Sequence, residues 1–293
     1  MRFVQFRLVR SIFIQIQSIA SAAVILISLS AYALPNPQDA TSASELQLGV
    51  QAYKDSRYDV AIHHFQRAVE SDSCNVNARM YLATTYTQEY IPGVDDPDNV
   101  ALATKAITQF KEALNCDPNA LQRANSLKGL ASLNYNMKNF DESKEYSREL
   151  IQIDPDDPDP YYSIGVIDWT TTYRLRMEGR VLLGLRPEDH LDAANKDQKK
   201  LCDELIAKNS DVVAEGIEML KKAIELRPDY DDAMAYMNLM YREKADLECD
   251  DPAARDQDLK TADEWVDKTL SGKKAKVKKA EREAAQQNQP EKQ

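Results

Sequence analysis

The chain has 293 residues, of which 43% are hydrophobic and 29% charged, enough apolar material for a buried core. Its formal net charge of −11 gives an acidic surface that repels nucleic acid and anionic lipid, so neither is expected as an electrostatic partner. Only 8 glycines, together with long runs of apolar residues at helical spacing, point to helix throughout.

Residues 1–33 stand apart. Arg2, Arg7 and Arg10 precede an uncharged apolar stretch at 12–29, and Ala31-Tyr32-Ala33 supplies the small-x-small pattern of a cleavage site. The expectation is a signal peptide and an exported, periplasmic or secreted, mature protein. The alternative is a membrane anchor over residues 12–30, which Gln15, Gln17 and several serines disfavour. No cysteine lies near the cleavage site, so a lipid-attached product is not expected. Residues 34–41 read as a linker. The body, 34–270, then holds 27 basic and 45 acidic side chains, a net of −18. From Ser271 onward the balance reverses, with seven Lys/Arg against three Glu, and residues 271–293 read as a charged tail, a frayed, solvated helix end or disordered, rather than a binding arm.

Between linker and tail a pattern recurs. Leu48-Gly49 is followed by Ala61, Phe65 and Ala68, and Leu82-Ala83 by Ala106, Phe110 and Ala113. Leu130-Ala131 is followed by Ser143, Ser147 and Leu150; Ile164-Gly165 by Gly216, Leu220 and Ala223; Met237-Asn238 by Ala262, Val266 and Thr269. Pro118, Pro155 and Pro228 each fall twelve residues beyond the first small residue of a second helix, where proline ends that helix and opens the next unit.

The pattern resembles the tetratricopeptide repeat, a 34-residue helix–turn–helix unit with small residues where its two helices touch. The resemblance spans 42–270 and implies an all-α superhelix of five units, of the kind found in exported bacterial proteins. The step between the small residues of the two helices is twelve in units one and three. It is 23, 51 and 24 in units two, four and five, which therefore carry insertions of 11, 39 and 12 residues. The first insertion, YIPGVDDPDN, reads as a loop. The largest, residues 171–210, predicts two lengthened helices forming a protruding hairpin with Arg186-Pro187 at its tip. Unit five is expected to lengthen likewise around residues 249–252.

Four cysteines remain after cleavage, and none forms the CxxC pair of zinc or thioredoxin-like sites. Export permits disulfides. Cys202 in the large insertion and Cys249 at the corner of unit five are one candidate pair. Cys74 and Cys116, at second-helix ends of consecutive units, are the other, and free thiols are the alternative for both.

No catalytic constellation emerges. The chain has no G-x-S-x-G, H-E-x-x-H, P-loop or G-x-G-x-x-G motif, and only 3 histidines. The carboxylates of DPDDPD, Asp154 to Asp159, sit at an inter-repeat turn where Asp and Pro cap helices. DDPDN at 95–99 is too short for an EF-hand loop. His63 and His64 are adjacent on a second helix and project about 100° apart, which disfavours joint chelation. No enzyme activity, metal or cofactor is expected.

The resemblance implies instead a concave groove lined by first helices. Its usual groove positions fall here on Asn77, Met80, Thr84, Thr87 and Gln88; on Asn125, Lys128, Ser132, Tyr135 and Asn136; on Asp159, Tyr162, Val166, Trp169 and Thr170; and on Arg242 and Glu243. Of these, Asn77, Asn125, Lys128, Tyr135, Asn136, Tyr162, Trp169 and Arg242 are the candidate partner-binding residues, since Asn can hold a peptide backbone and Tyr and Trp are typical anchors. For Tyr162 and Trp169 the alternative is packing against the insertion. The basic clamp that grips carboxyl-terminal tails is not matched, because Leu46 and Val50 stand at its positions. The expected function is a non-catalytic scaffold for a protein or peptide segment. The alternatives are an accessory subunit or enzyme of envelope or secreted-polymer metabolism, and a structural protein that self-assembles through the hairpin of unit four.

Overall fold

The structure is a computed structural model and describes residues 37–287 except Glu188. The signal peptide or anchor, the start of the linker and residues 288–293 lie outside the described residues. Ten α-helices make up the described chain: α1 (Pro37–Lys54), α2 (Tyr58–Ser71), α3 (Val76–Glu89), α4 (Pro97–Asn115), α5 (Ala120–Asn136), α6 (Phe140–Ile153), α7 (Pro158–Leu182), α8 (Lys196–Leu226), α9 (Asp231–Ala245) and α10 (Pro252–Gln287). They pair in order as five hairpins. First helices also pack on one another across repeats, α1 on α3, α3 on α5 and α7 on α9. The first helices therefore line the inner, concave side of the superhelix.

Local chemistry sets the helix ends. Asn75, Asp96, Asn119, Asp157 and Asn195 each accept backbone N–H bonds as N-caps, and Asn119 forms a reciprocal capping box with Gln122. Pro97 and Pro158 occupy the first turns of α4 and α7, where a missing N–H costs nothing. In the two repeats without insertions the corner is the same: Ser56 and Lys138 take the left-handed conformation (φ 57° and 64°) two residues before the second helix starts.

The insertions go to different places. In repeat four they lengthen both helices, to 25 residues in α7 and 31 in α8, with the expected turn between them. In repeat five the first helix stays short at 15 residues, which corrects the expectation of two lengthened helices. The extra residues form the corner at 246–251 and an early start to α10 at Pro252. Two boundaries also differ from the sequence reading. Helix α1 begins at Pro37, inside the expected linker, and α10 continues to Gln287, through most of the basic tail. Lys276 fastens that extension to α9 by pairing with Asp231 at 2.9 Å.

The buried core is divided. One cluster, with Phe65, Leu82, Phe110, Leu130 and Leu133, spans repeats one to three. A second, with Tyr161, Val213, Leu220, Met237 and Met240, spans repeats four and five. A third, with Leu191, Leu205, Cys202 and Cys249, closes the hairpin against the corner of repeat five. Between the first two clusters, α5 and α7 pack sparsely. An ionic group bridges that seam. Lys144 of α6 lies 2.5 Å from Asp168 of α7 and 2.7 Å from Glu215 of α8, and Arg148 adds a contact of 2.6 Å to Glu215.

Both cysteine pairs are bridged: Cys74–Cys116 with Cα atoms 5.2 Å apart, and Cys202–Cys249 with Cα atoms 6.4 Å apart. The first staples repeat one to repeat two and the second ties the hairpin to repeat five. They close loops of 42 and 47 residues, for which chain entropy alone stabilises the fold by about 4 kcal/mol each. Replacing Cys202 and Cys249 together by Ala is expected to lower the unfolding free energy measured by urea titration by an amount of that order, with little change in helical circular dichroism, and dithiothreitol should then act only through the remaining bridge.

Candidate functional site

In repeats one and two, the aromatic residue of the second helix fills the space between neighbouring first helices. The Phe65 ring lies so close to Gly49 that a Cβ there would come within 2.5 Å of it, and Phe110 meets Gly129 at the same distance. Phe65 also stacks on Tyr81 of α3, with ring centroids 5.4 Å apart. Repeat three has Ser147 at this position and Ser143 one turn earlier. Both are buried. Ser143 Oγ donates to the Ala131 carbonyl at 2.8 Å and Ser147 Oγ to the Ser143 carbonyl at 2.9 Å. No ring fills the gap, and a cavity of about 360 Å³ opens between α5 and α7. Its floor is Ser143, Ser147 and Leu150, its walls include Ala131, Val166 and Ile167, and its mouth is edged by Lys128, Tyr135, Tyr162 and Tyr236.

An aromatic ladder continues from the mouth along the inner face of repeats four and five. Tyr162 lies 4.9 Å from Tyr230 and 5.7 Å from Tyr236; Trp169 meets Tyr236 edge-on at 5.4 Å and stacks on Tyr173 at 5.0 Å. The Arg176 guanidinium covers Tyr173 at 5.2 Å. It also grips Glu243 through Nε and Nη2 at 2.8–3.1 Å and Asp246 at 2.8 Å, and Arg180 reaches Asp246 at 2.9 Å. These contacts lock the lengthened α7 to α9 and its corner.

Charges at the mouth are mostly paired. Lys128 bonds Asp157 at 2.9 Å, which raises the lysine pKa. Asp159 takes Arg227 at 3.0 Å and the Tyr230 hydroxyl at 3.1 Å. Burial, with Tyr236 and Asp232 nearby, pushes the Tyr162 phenol up to about 12, so it stays a neutral hydrogen-bonding group.

Of the candidate partner-binding residues, the structure brings Lys128, Tyr135 and Tyr162 together at the cavity. Trp169 lies further along the same face, in the ladder. Asn125 is exposed on α5 outside the cavity, and Asn136, the last residue of α5, also lies outside it. Asn77 accepts a bond from Gln122 at 2.9 Å and so ties α3 to α5. Arg242 is committed to Asn238 and to Asp263 of α10, at 3.0 and 2.7 Å, and Glu243 is buried under Arg176. Tyr236, Tyr230, Ser143 and Ser147 were not among the candidates. Tyr236 stands one place from a groove position. The serines were visible as missing packing residues, though not as the makers of a cavity. At the other end of the array, His64 Nδ1 is 2.7 Å from Glu45 Oε2 and Arg67 is 2.9 Å from Glu45 Oε1, so this histidine joins α2 to α1.

The family model described as tetratricopeptide repeat matches residues 126–157, which is repeat three. The chain has the fold of a tetratricopeptide-repeat array. Several solved structures share the fold of this repeat array. The MamA protein is 17% identical over 81% of this chain and 94% of its own, with a TM-score of 0.55. MamA from Desulfovibrio magneticus RS-1, a chain beginning at residue 41, is 13% identical over 80% and 96%, with a TM-score of 0.52. YrrB, described as a TPR protein with an unusual peptide-binding site, is 13% identical over 82% and 94%, with a TM-score of 0.50. No curated protein matches this chain in sequence.

Asp168 makes the seam next to the cavity titrate. Burial raises its carboxyl to about 6, against the pull of Lys144. A carboxyl raised above its unfolded value contributes stability at low pH that is lost as pH climbs through the folded pKa. The stability difference between the native protein and Asp168→Asn, measured by urea unfolding, should therefore shift against the native protein between pH 4 and pH 6 and level off above.

Proposed function

We propose that this tetratricopeptide array is a non-catalytic scaffold that holds an extended segment of a partner protein along its concave face. The observation that carries the reading is the unfilled cavity between α5 and α7, continuous with the aromatic ladder Tyr162–Tyr236–Trp169–Tyr173. Partly exposed, rigid aromatic rings beside an apolar pocket have the composition of an interface centre. The description of YrrB as having a peptide-binding site supports the same use of the fold. The partner-facing residues in this reading are Lys128, Tyr135, Tyr162, Trp169 and Tyr236. The protein acts outside the cytoplasm, in the periplasm or as a secreted protein: residues 1–33 read as a signal peptide, and two disulfides suit an oxidising compartment.

A photo-crosslinking side chain tests the groove in the full-length protein. Placed at Ser132, exposed at the cavity mouth, it should trap a discrete protein species in the native envelope or culture fraction. The same group at Glu112, exposed on the second helix α4, should trap none, and equal labelling from both positions would remove the groove from consideration.

Self-assembly through the hairpin of repeat four has one observation in its favour. Val181 and Leu182, at the end of α7, are 70% and 86% exposed. In this second reading Leu182→Glu shifts sedimentation of the concentrated protein towards the monomer; a monomeric native protein would dispose of it.

A further inference from the structure

The cavity is shaped by what repeat three lacks, and its chemistry states what it would accept. Restored to the family pattern, Ser147 would be a phenylalanine like Phe65 and Phe110, with its ring lying between first helices. The space left is about 360 Å³, well above the roughly 150 Å³ of an engineered apolar cavity that binds benzene. A ring with a polar edge fits this volume. The floor differs from that of a purely apolar pocket. Ser143 Oγ and Ser147 Oγ have both spent their hydrogens on backbone carbonyls, at 2.8 and 2.9 Å, so toward the cavity they have only acceptor capacity left. A guest that brings an N–H or O–H donor satisfies that capacity, and one without it does not. Indole and phenol are the side chains that combine a flat apolar body with a single donor. At the mouth Lys128 is paired with Asp157 and Arg227 with Asp159, Asp232 adds a negative charge within electrostatic range of Tyr162 and Tyr236, and the body around it carries a net −18. Flanking residues on the guest are favoured when basic.

We propose that the cavity between α5 and α7 receives the side chain of a Trp or Tyr presented by a basic segment of the partner protein, with the Ser143 and Ser147 hydroxyls accepting its donor. This names the ligand class of the groove and rests on the reading that the groove binds a protein segment. The repeat-three serines are then specificity residues, and the loss of the packing ring is what creates the binding site.

The test uses short basic peptides, identical except for a central Trp, Tyr, Phe or Ala, titrated into the full-length protein by calorimetry. The Trp and Tyr peptides should bind about two- to tenfold more tightly than the Phe peptide, the span that one neutral hydrogen bond supplies. All three should bind more tightly than the Ala peptide, and replacing the basic flanks by acidic ones should weaken them. Ser147→Ala keeps the space and removes an acceptor, so it should lower Trp and Tyr affinity towards that of Phe while leaving the Phe peptide unchanged. Ser147→Phe closes the cavity and should reduce every aromatic peptide to the level of the Ala peptide with helicity retained; should that variant not fold, Ser147→Ala alone decides. Equal affinity for Trp, Tyr and Phe in the native protein, or a Trp preference untouched by Ser147→Ala, overturns the proposal. If none of the peptides binds while the crosslinker at Ser132 still traps a partner, the cavity assignment fails and the groove reading survives. If the crosslink fails as well, both fall.

Discussion

A two-helix hairpin buries one face on itself and must cover the other with its neighbour, so the array depends on the side chain that each second helix lends to the gap between first helices. Phe65 and Phe110 meet that need in repeats one and two, and the glycines opposite them give their rings room to approach the backbone. Leu220 does the same in repeat four, against Gly165. Repeat three supplies Ser147 instead, and at that step the core splits in two, α5 and α7 draw apart, and a cavity forms. The strongest candidate site and the weakest apolar contact have the same cause.

The remaining devices hold the array together around that gap. Lys144, Asp168, Glu215 and Arg148 replace missing apolar contact with an ionic group across three helices. Removing either charge of a buried pair leaves the other uncompensated, so this seam is specific as well as cohesive. Further along, Arg176 and Arg180 clamp α7 to Glu243 and Asp246, and Cys202–Cys249 ties the hairpin to the same corner. Repeats four and five thus form one stiffened block, with the aromatic ladder on its inner face.

How much of this could be read beforehand differs by residue. The small residues at Gly49, Ala61, Ala83 and Ala106 mark helix crossings directly, because few side chains fit there, and the repeat count followed from them. The hairpin of repeat four was legible for a similar reason: residues 171–210 hold helix-permissive stretches separated by a turn at Arg186-Pro187. Repeat five departs from the expected pair of lengthened helices because the length of an insertion does not say which helix takes it up; Asp251 and Pro252 start α10 early and leave α9 short. Of the groove residues carried over from the family, Lys128, Tyr135 and Tyr162 converge on one cavity, while Arg242 turned to Asp263, a partner supplied by another helix.

The sequence by itself determined the helices, their pairing and the order of the repeats, since these depend on spacing along the chain: small residues at the crossings, proline and Asp or Asn at the ends, cysteines on neighbouring units. Only the tertiary structure decided that losing one ring at Ser147 leaves open space rather than a repacked core. That outcome depends on how far α5 and α7 close on each other, which is set by the packing of α6, α7 and α9 around the gap as well as by Ser147 itself. A cavity is a property of several helices at once, and no periodicity along a single chain records it.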